Sequence, residues 1–139
     1  MPNLPNDNPL SLFDVAQQAL SAQMVRMNAS ASNLANAGAV AGSADAAYRP
    51  LQPVFAEQLD RASGLSTVRV TGLRRSSAPP NRVHDPGHPL ADANGDVWTA
   101  PVDENAEMVE MLDSSRAYQN LVEAVSTAKQ LILDTVRLK

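Results

Sequence analysis

The chain has no cysteine, which excludes disulfide staples and thiolate metal sites. Aromatic residues make up only 4% of its 139 residues, so a core built on stacked rings is excluded and burial must come from Leu, Val, Met and Ala. No apolar run approaches the ~20 residues that a membrane-spanning helix needs. The first ten residues, MPNLPNDNPL, lack the basic region and apolar stretch of a secretory signal. The net charge of −4, with 19% charged residues, lacks the basic excess of a dedicated nucleic-acid binder. The length corresponds to one domain or a little less than two. The last absence is local: residues 102–139 contain neither proline nor glycine.

That last stretch predicts one long helix with two apolar seams. The first runs Met108, Met111, Ser115, Tyr118, Val122, Val125, Lys129, Ile132, Val136, in the alternating three-and-four spacing that keeps a stripe facing a partner helix. The second, displaced by about 100° of rotation, runs Ala117, Leu121, Ala124, Ala128, Leu131, Thr135, Leu138. A helix this broadly apolar needs more than one neighbour. The surplus begins at Ala117, so the last ~20 residues are expected to sit deepest in any assembly. The start of the helix is acidic (Asp103, Glu104, Glu107, Glu110, Asp113) and its end basic (Arg137, Lys139), which complements the helix dipole; the alternative is a docking face for a basic neighbour. Basic residues concentrate instead in residues 49–82, which hold Arg49, Arg61, Arg69, Arg74, Arg75 and Arg82 against Glu57 and Asp60.

At the other end, residues 1–11 carry three prolines and are expected to be an extended, mobile lead. Ser11, followed three residues later by Asp14, resembles a helix cap. A helix is predicted from Leu12 to Asn36, with Phe13, Leu20, Met27 and Leu34 recurring every seven residues. Gly38 closes it, and the Ala-, Gly- and Ser-rich stretch to Ala47 predicts a flexible loop. Between the helices the period changes. Tyr48–Leu59 fits an edge strand because of Pro50 and Pro53, and Val68–Leu73 alternates with period two. Arg82–His84 and Val97–Thr99 are further strand candidates, and Asn94-Gly95 carries a hairpin-turn signal. The fold class expected is α+β: two long terminal helices in a coiled-coil-like pair (12–37 and 102–139) flanking a small β-rich insertion (38–101).

Few residues offer chemistry. His84, Asp85 and His88 could ligate zinc from a loop with an open position, but the competing reading is a turn made rigid by Pro86 and Pro89. Asp92–Asp96 starts like a calcium loop, yet its glycine comes two positions early and Asp103 stands where a glutamate belongs. There is no nucleophile elbow, no phosphate-binding glycine loop and no aromatic platform beside Arg74-Arg75. No nucleophile, base and oxyanion set assembles. The two helices, roughly 37 and 50 Å long at 1.5 Å per residue, satisfy one seam each by pairing. Leaving Leu121, Leu131 and Leu138 in water would forgo roughly 1.5–3 kcal/mol for each side chain, so the second seam is expected to meet other chains.

Three stretches resemble the bacterial flagellar basal-body rod protein family. Ser30–Ala37 (SASNLANA) is similar to the N-terminal signature of flagellar rod and hook axial proteins. His84–Asp92 (HDPGHPLAD), with the Asn-Gly turn after it, is similar to the central motif of the proximal-rod branch. Glu107–Met111, Ser115–Gln119 and Ala128–Gln130 resemble the family's C-terminal helix. The resemblance spans about Leu12 to Lys139 and implies a structural subunit, with no catalytic residues and no cofactor. It implies a periplasm-spanning rod that transmits torque, built from subunits exported by the flagellar type III apparatus without a cleaved signal. The partners implied are neighbouring copies, other rod proteins, and basal-body ring and rod-adaptor proteins. The interface expected from seams and resemblance together comprises Phe13, Leu20, Met27, Asn33, Leu34 and Asn36 on the first helix. On the second it comprises Met108, Met111, Arg116, Tyr118, Gln119, Leu121, Val122, Val125, Leu131, Ile132 and Leu138. The alternatives are another rod or hook axial subunit, a small metal-dependent hydrolase using His84, Asp85 and His88, and a cytoplasmic export chaperone with two amphipathic helices.

Overall fold

The structure, a computed structural model, describes residues 9–59 and 66–138. Two helices and five strands follow one another as α1 (Pro9–Ala35), β1 (Val40–Ala41), β2 (Leu51–Leu59), β3 (Ser66–Arg75), β4 (Asn81–His84), β5 (Asp96–Thr99) and α2 (Glu104–Arg137). The α+β class therefore holds. The helix termini differ in detail from expectation. α1 begins at Pro9, not Leu12: proline fits the first helical position because its fixed φ suits a helix and its missing N–H would be unpaired there anyway. Ser11 thus lies inside the first turn and is not the cap. Residues 1–8 of the expected lead lie outside the described residues. α2 is capped by Asp103, whose carboxylate accepts from the backbone N–H groups of Asn105 and Ala106.

The helices run antiparallel, since Asn33 near the end of α1 meets Glu107 near the start of α2 and Val15 and Ala19 near the start of α1 line a groove with Leu121 and Val125. The long β2–β3 hairpin packs on α1 as well, so α1 is enclosed from two sides. That explains why its fully buried positions are small: Ala22, Ala29 and Ser30, with Asn33 beside them. Large side chains there would hold α2 and the hairpin apart. The seven-residue repeat sits elsewhere. Leu20 and Met27 precede Ala22 and Ala29 by two residues, about 200° of helix rotation, and Phe13, Leu20, Met27 and Leu34 are half-buried.

The β region forms two sheets. β2 and β3 make a two-stranded antiparallel ladder from Leu51↔Arg75 to Leu59↔Ser66, with a register shift between Val54 and Phe55. Every strand of a two-stranded sheet is an edge, so Pro53 fits within the ladder. The second sheet has the order β1-β5-β4. Its first strand lies in the stretch expected to be a flexible loop: Val40 and Ala41 pair with Thr99 and Trp98. A two-residue strand gives no periodic signal; it exists because β5 offers it a ladder. β4 and β5 pair from Asn81↔Thr99 to His84↔Asp96, but Asn94-Gly95 does not join them as a two-residue hairpin. Residues 85–95 form a longer loop, and Gly95, at φ +77°, closes a turn back to the Asp92 carbonyl at 3.0 Å. A side chain at Gly95 would press on Pro86 and His84 at 3.0–3.1 Å.

Candidate assembly interface

Asn33 ties three segments together. Its side-chain nitrogen donates to the Leu51 carbonyl at 3.0 Å and to Glu107 Oε1 at 2.9 Å. Its oxygen accepts from the Leu51 backbone N–H at 2.7 Å and from the Tyr48 hydroxyl at 3.0 Å. With both donors and both lone pairs used and 1% exposure, Asn33 is satisfied within the chain, and the expectation that it contacts another subunit finds no support in its geometry. Asn36 is half-buried and donates to the Ser32 carbonyl at 2.8 Å, closing the helix end. One turn before Ser30, Arg26 bridges to Glu110 at 2.6 Å. Ser114 is fully buried, its hydroxyl bonded to the Glu110 carbonyl at 2.8 Å.

Glu107, Glu110 and Ser114 are the polar members of the first half of α2 that lie nearest α1. In the structure they form the inward stripe of the first half of α2. Each is paired, and only small or hydrogen-bonded groups allow α1 to approach this closely. A signal was present in Arg26: it is the sole basic residue of α1 and stands opposite an acidic stretch in any antiparallel pairing.

In the second half of α2, α1 lies along the boundary between the two predicted seams. It half-buries the inner members of both: Met111, Tyr118, Val125 and Ile132 from the first, Leu121 and Ala128 from the second. The outer members remain in solvent. On one flank Met108, Val122 and Val136 are 51%, 46% and 67% exposed, accompanied by Leu112 and Leu133; on the other Leu131 and Leu138 are 63% and 88% exposed. Arg116 and Gln119 are exposed on the outer surface. Among the described residues the fully buried apolar side chains are only Ala22, Ala29, Ala47, Val97 and Ala100.

His84 and His88, two of the three candidate metal ligands, are held by other partners. His84 Nδ1 donates to Asp96 Oδ1 at 2.9 Å, and Arg82 Nε donates to Asp96 Oδ2 at 2.7 Å with its Nη2 on the same oxygen. These two donors, His84 first, hold the Asp96 carboxyl below its ordinary range. His88 Nδ1 accepts from the Leu90 backbone N–H at 3.1 Å. Asp92 accepts from the backbone N–H groups of Asn94 and Asp96. Among the described residues no three His, Cys, Asp or Glu side chains converge as metal ligands. The cluster is a loop staple: a buried carboxylate fastens β4 to β5 while Asp92 shapes the turn.

An enclosed core of alanines, a polar latch between helices and sheet, and flanks of uncovered Leu, Val and Met are the marks of a subunit made for assembly. Comparison with known proteins gives the class. The family model described as "Flagellar basal body rod FlgEFG protein C-terminal" matches residues 93–138. The chain is 46% identical over 131 residues to the flagellar basal-body rod protein FlgC of Salmonella typhimurium, covering 93% of this chain and 96% of that one. It is 45% identical, at the same coverage, to FlgC of Escherichia coli O157:H7. To FlgC of Agrobacterium fabrum it is 30% identical over 133 residues, covering 94% and 96%. The chain belongs to the FlgC family of flagellar basal-body rod proteins. It is a structural rod subunit and not an enzyme, and the hydrolase alternative is not favoured.

Proposed function

We propose that the chain assembles through α1 and α2, with copies of itself and with other rod proteins, into the proximal part of the flagellar rod. On this reading the two helices form the inner layer of a tube as a coiled-coil-like pair, and the β region faces outward against adjacent subunits. The tube crosses the periplasm as a drive shaft. Its subunits pass through the flagellar type III apparatus without a cleaved signal, and the finished rod meets ring and rod-adaptor proteins. The observation that carries the reading is the pair of exposed apolar flanks on α2, Met108 to Val136 on one side and Leu131 and Leu138 on the other. Surfaces of this kind are stable in water only when another chain covers them. The expected interface therefore narrows to the outer members Met108, Val122, Leu131 and Leu138. The half-buried repeat Phe13, Leu20, Met27 and Leu34 joins them, and Arg116 and Gln119 form a polar rim. The same surfaces suit any rod or hook axial subunit; the extent of the match to FlgC relatives favours the proximal rod.

The test is fractionation of a motile cell that carries this chain as its own rod subunit. The chain is expected in detergent-resistant intact basal bodies at a fixed ratio to the other rod proteins. Recovery only from the soluble cytoplasm would favour the export-chaperone alternative and overturn the assignment.

A further inference from the structure

Away from the apolar flanks, a cleft of about 610 Å³ opens between the β1 region and the base of the β2–β3 hairpin. Arg49 and Arg75 both line it, together with Asp45 and Tyr48. Arg49 is half-buried and Arg75 closes the hairpin ladder opposite Leu51. Neither guanidinium is in an ion pair or a side-chain hydrogen bond; the ion pairs of the described residues use Arg26, Arg82 and His84. Asp45 shares the cleft but stands farther than ion-pair distance from both, so the cleft keeps a net charge of +1 with five guanidinium donors on each side chain unused. A half-buried arginine without an acceptor is unfavourable, and planar guanidinium pairs are well shaped for carboxylates.

We propose that this cleft receives an acidic segment of a second copy of the chain, namely the start of its α2. Charge complementarity on the same molecule selects that occupant. Within α2's first turns Asp103 caps its own helix, Glu107 holds Asn33 and Glu110 holds Arg26. Among the described residues Glu104 and Asp113 are both exposed and make no ion pair or side-chain hydrogen bond; Glu104, at the first position of the helix, is the one that the tip of α2 offers. Cleft and carboxylate occupy different places on the chain, so two copies can make the contact reciprocally about a two-fold axis or head-to-tail. The head-to-tail form is the one a rod requires, because only that form propagates into rings or helices. The proposal rests on the rod reading and adds to it a polar, directional contact that the apolar flanks do not provide.

The test uses the full chain in a motile cell whose own rod gene it replaces. Arg49→Glu with Arg75→Glu is expected to lower incorporation into intact basal bodies about tenfold, the equivalent of roughly 1.4 kcal/mol. Adding Glu104→Arg to the same chain is expected to restore it. Because the chain has no cysteine, a second arm is clean. Cells co-expressing Arg75→Cys and Glu104→Cys chains should give a disulfide-linked dimer in isolated basal bodies, and this readout does not depend on the folding of the charge-reversed variant. Asp45→Asn is expected to leave the thermal midpoint of the purified chain unchanged, whereas an internal Asp45 partnership would lower it. Normal incorporation of the double arginine variant overturns the proposal. So does a loss that Glu104→Arg leaves unrepaired together with no cross-link, which would point to another rod protein in the cleft. Absence of the unmodified chain from basal bodies would instead overturn the rod assignment itself.

Discussion

Asn33 concentrates more of the fold in one side chain than any apolar residue does. Replacing it by alanine would leave the Leu51 amide and carbonyl, the Tyr48 hydroxyl and Glu107 without their partner in a buried site. Asn33→Ala is therefore expected to cost about 2–4 kcal/mol in urea unfolding. Asn33→Asp should cost more, because a carboxylate cannot donate to the Leu51 carbonyl and would face Glu107. A loss under 1 kcal/mol for both, the scale of an ordinary surface change, would mean that water substitutes at the site. Asp96 gives a residue-scale prediction in pH. Its folded pKa lies below the ordinary carboxylate value of about 3.9. Its contribution is thus complete above that value and is lost as pH falls through the lower, folded pKa. Trp98, the only tryptophan, pairs with Arg82 beside it. An acid titration of Trp98 fluorescence should show a step below pH ~3.9 that Asp96→Asn removes; a step at or above that value contradicts the assignment. Neither role could be read from residue types, since a buried Asn and a buried Asp are spelled like surface ones. What marks them is their partners, 74 residues away for Asn33 and Glu107.

At the scale of elements, the helices were legible and their neighbours were not. The absence of proline and glycine from 102–139 fixes α2, and the alternation from Val68 to Leu73 fixes β3, because local periods reflect local geometry. β1 escaped because a two-residue strand is created by its partner. The two seams on α2 were visible as periodicities, but the position of α1 between them was not, since the small buried face of α1 leaves little hydrophobic signal. That position separates two leucines that look equivalent in the sequence. Leu121 lines the groove against α1, and Leu131 is 63% exposed. Leu121→Glu should lower the stability of the isolated chain by roughly 2 kcal/mol or more, because it buries an unpaired charge. Leu131→Glu should change it by less than ~0.5 kcal/mol and yet abolish swimming through loss of rod assembly. Glu123→Lys, on the exposed side of the same helix, should leave swimming intact. Thermal melts alongside soft-agar motility separate the three; identical behaviour in both assays would remove the basis for the outer flanks as an interface.

For the molecule as a whole, stability is uneven by construction. The latch around Asn33, the Arg26–Glu110 bridge and the buried Ser114 all lie toward one end of the helix pair. Toward the other end, residues 133–138 are exposed throughout. Amide exchange of the free chain should show protection over residues 107–118 and fast exchange from about residue 130 onward, with slow exchange there appearing only in assembled rods. Uniform protection along α2 in a monomer would contradict the view that the last ~20 residues await other chains. The latch has a consequence in time as well as in space. Asn33 can bond Tyr48 and Leu51 soon after they are made, but its bond to Glu107 must wait for a further stretch of chain, 74 residues beyond Asn33 itself. During synthesis, or during any threading that presents the N-terminus first, the junction of helix and sheet stays half-fastened until α2 begins to appear. Long-range closure of this kind is slow and late. Any N-terminus-first emergence thus carries a built-in delay, because the junction locks only once the start of α2 has appeared.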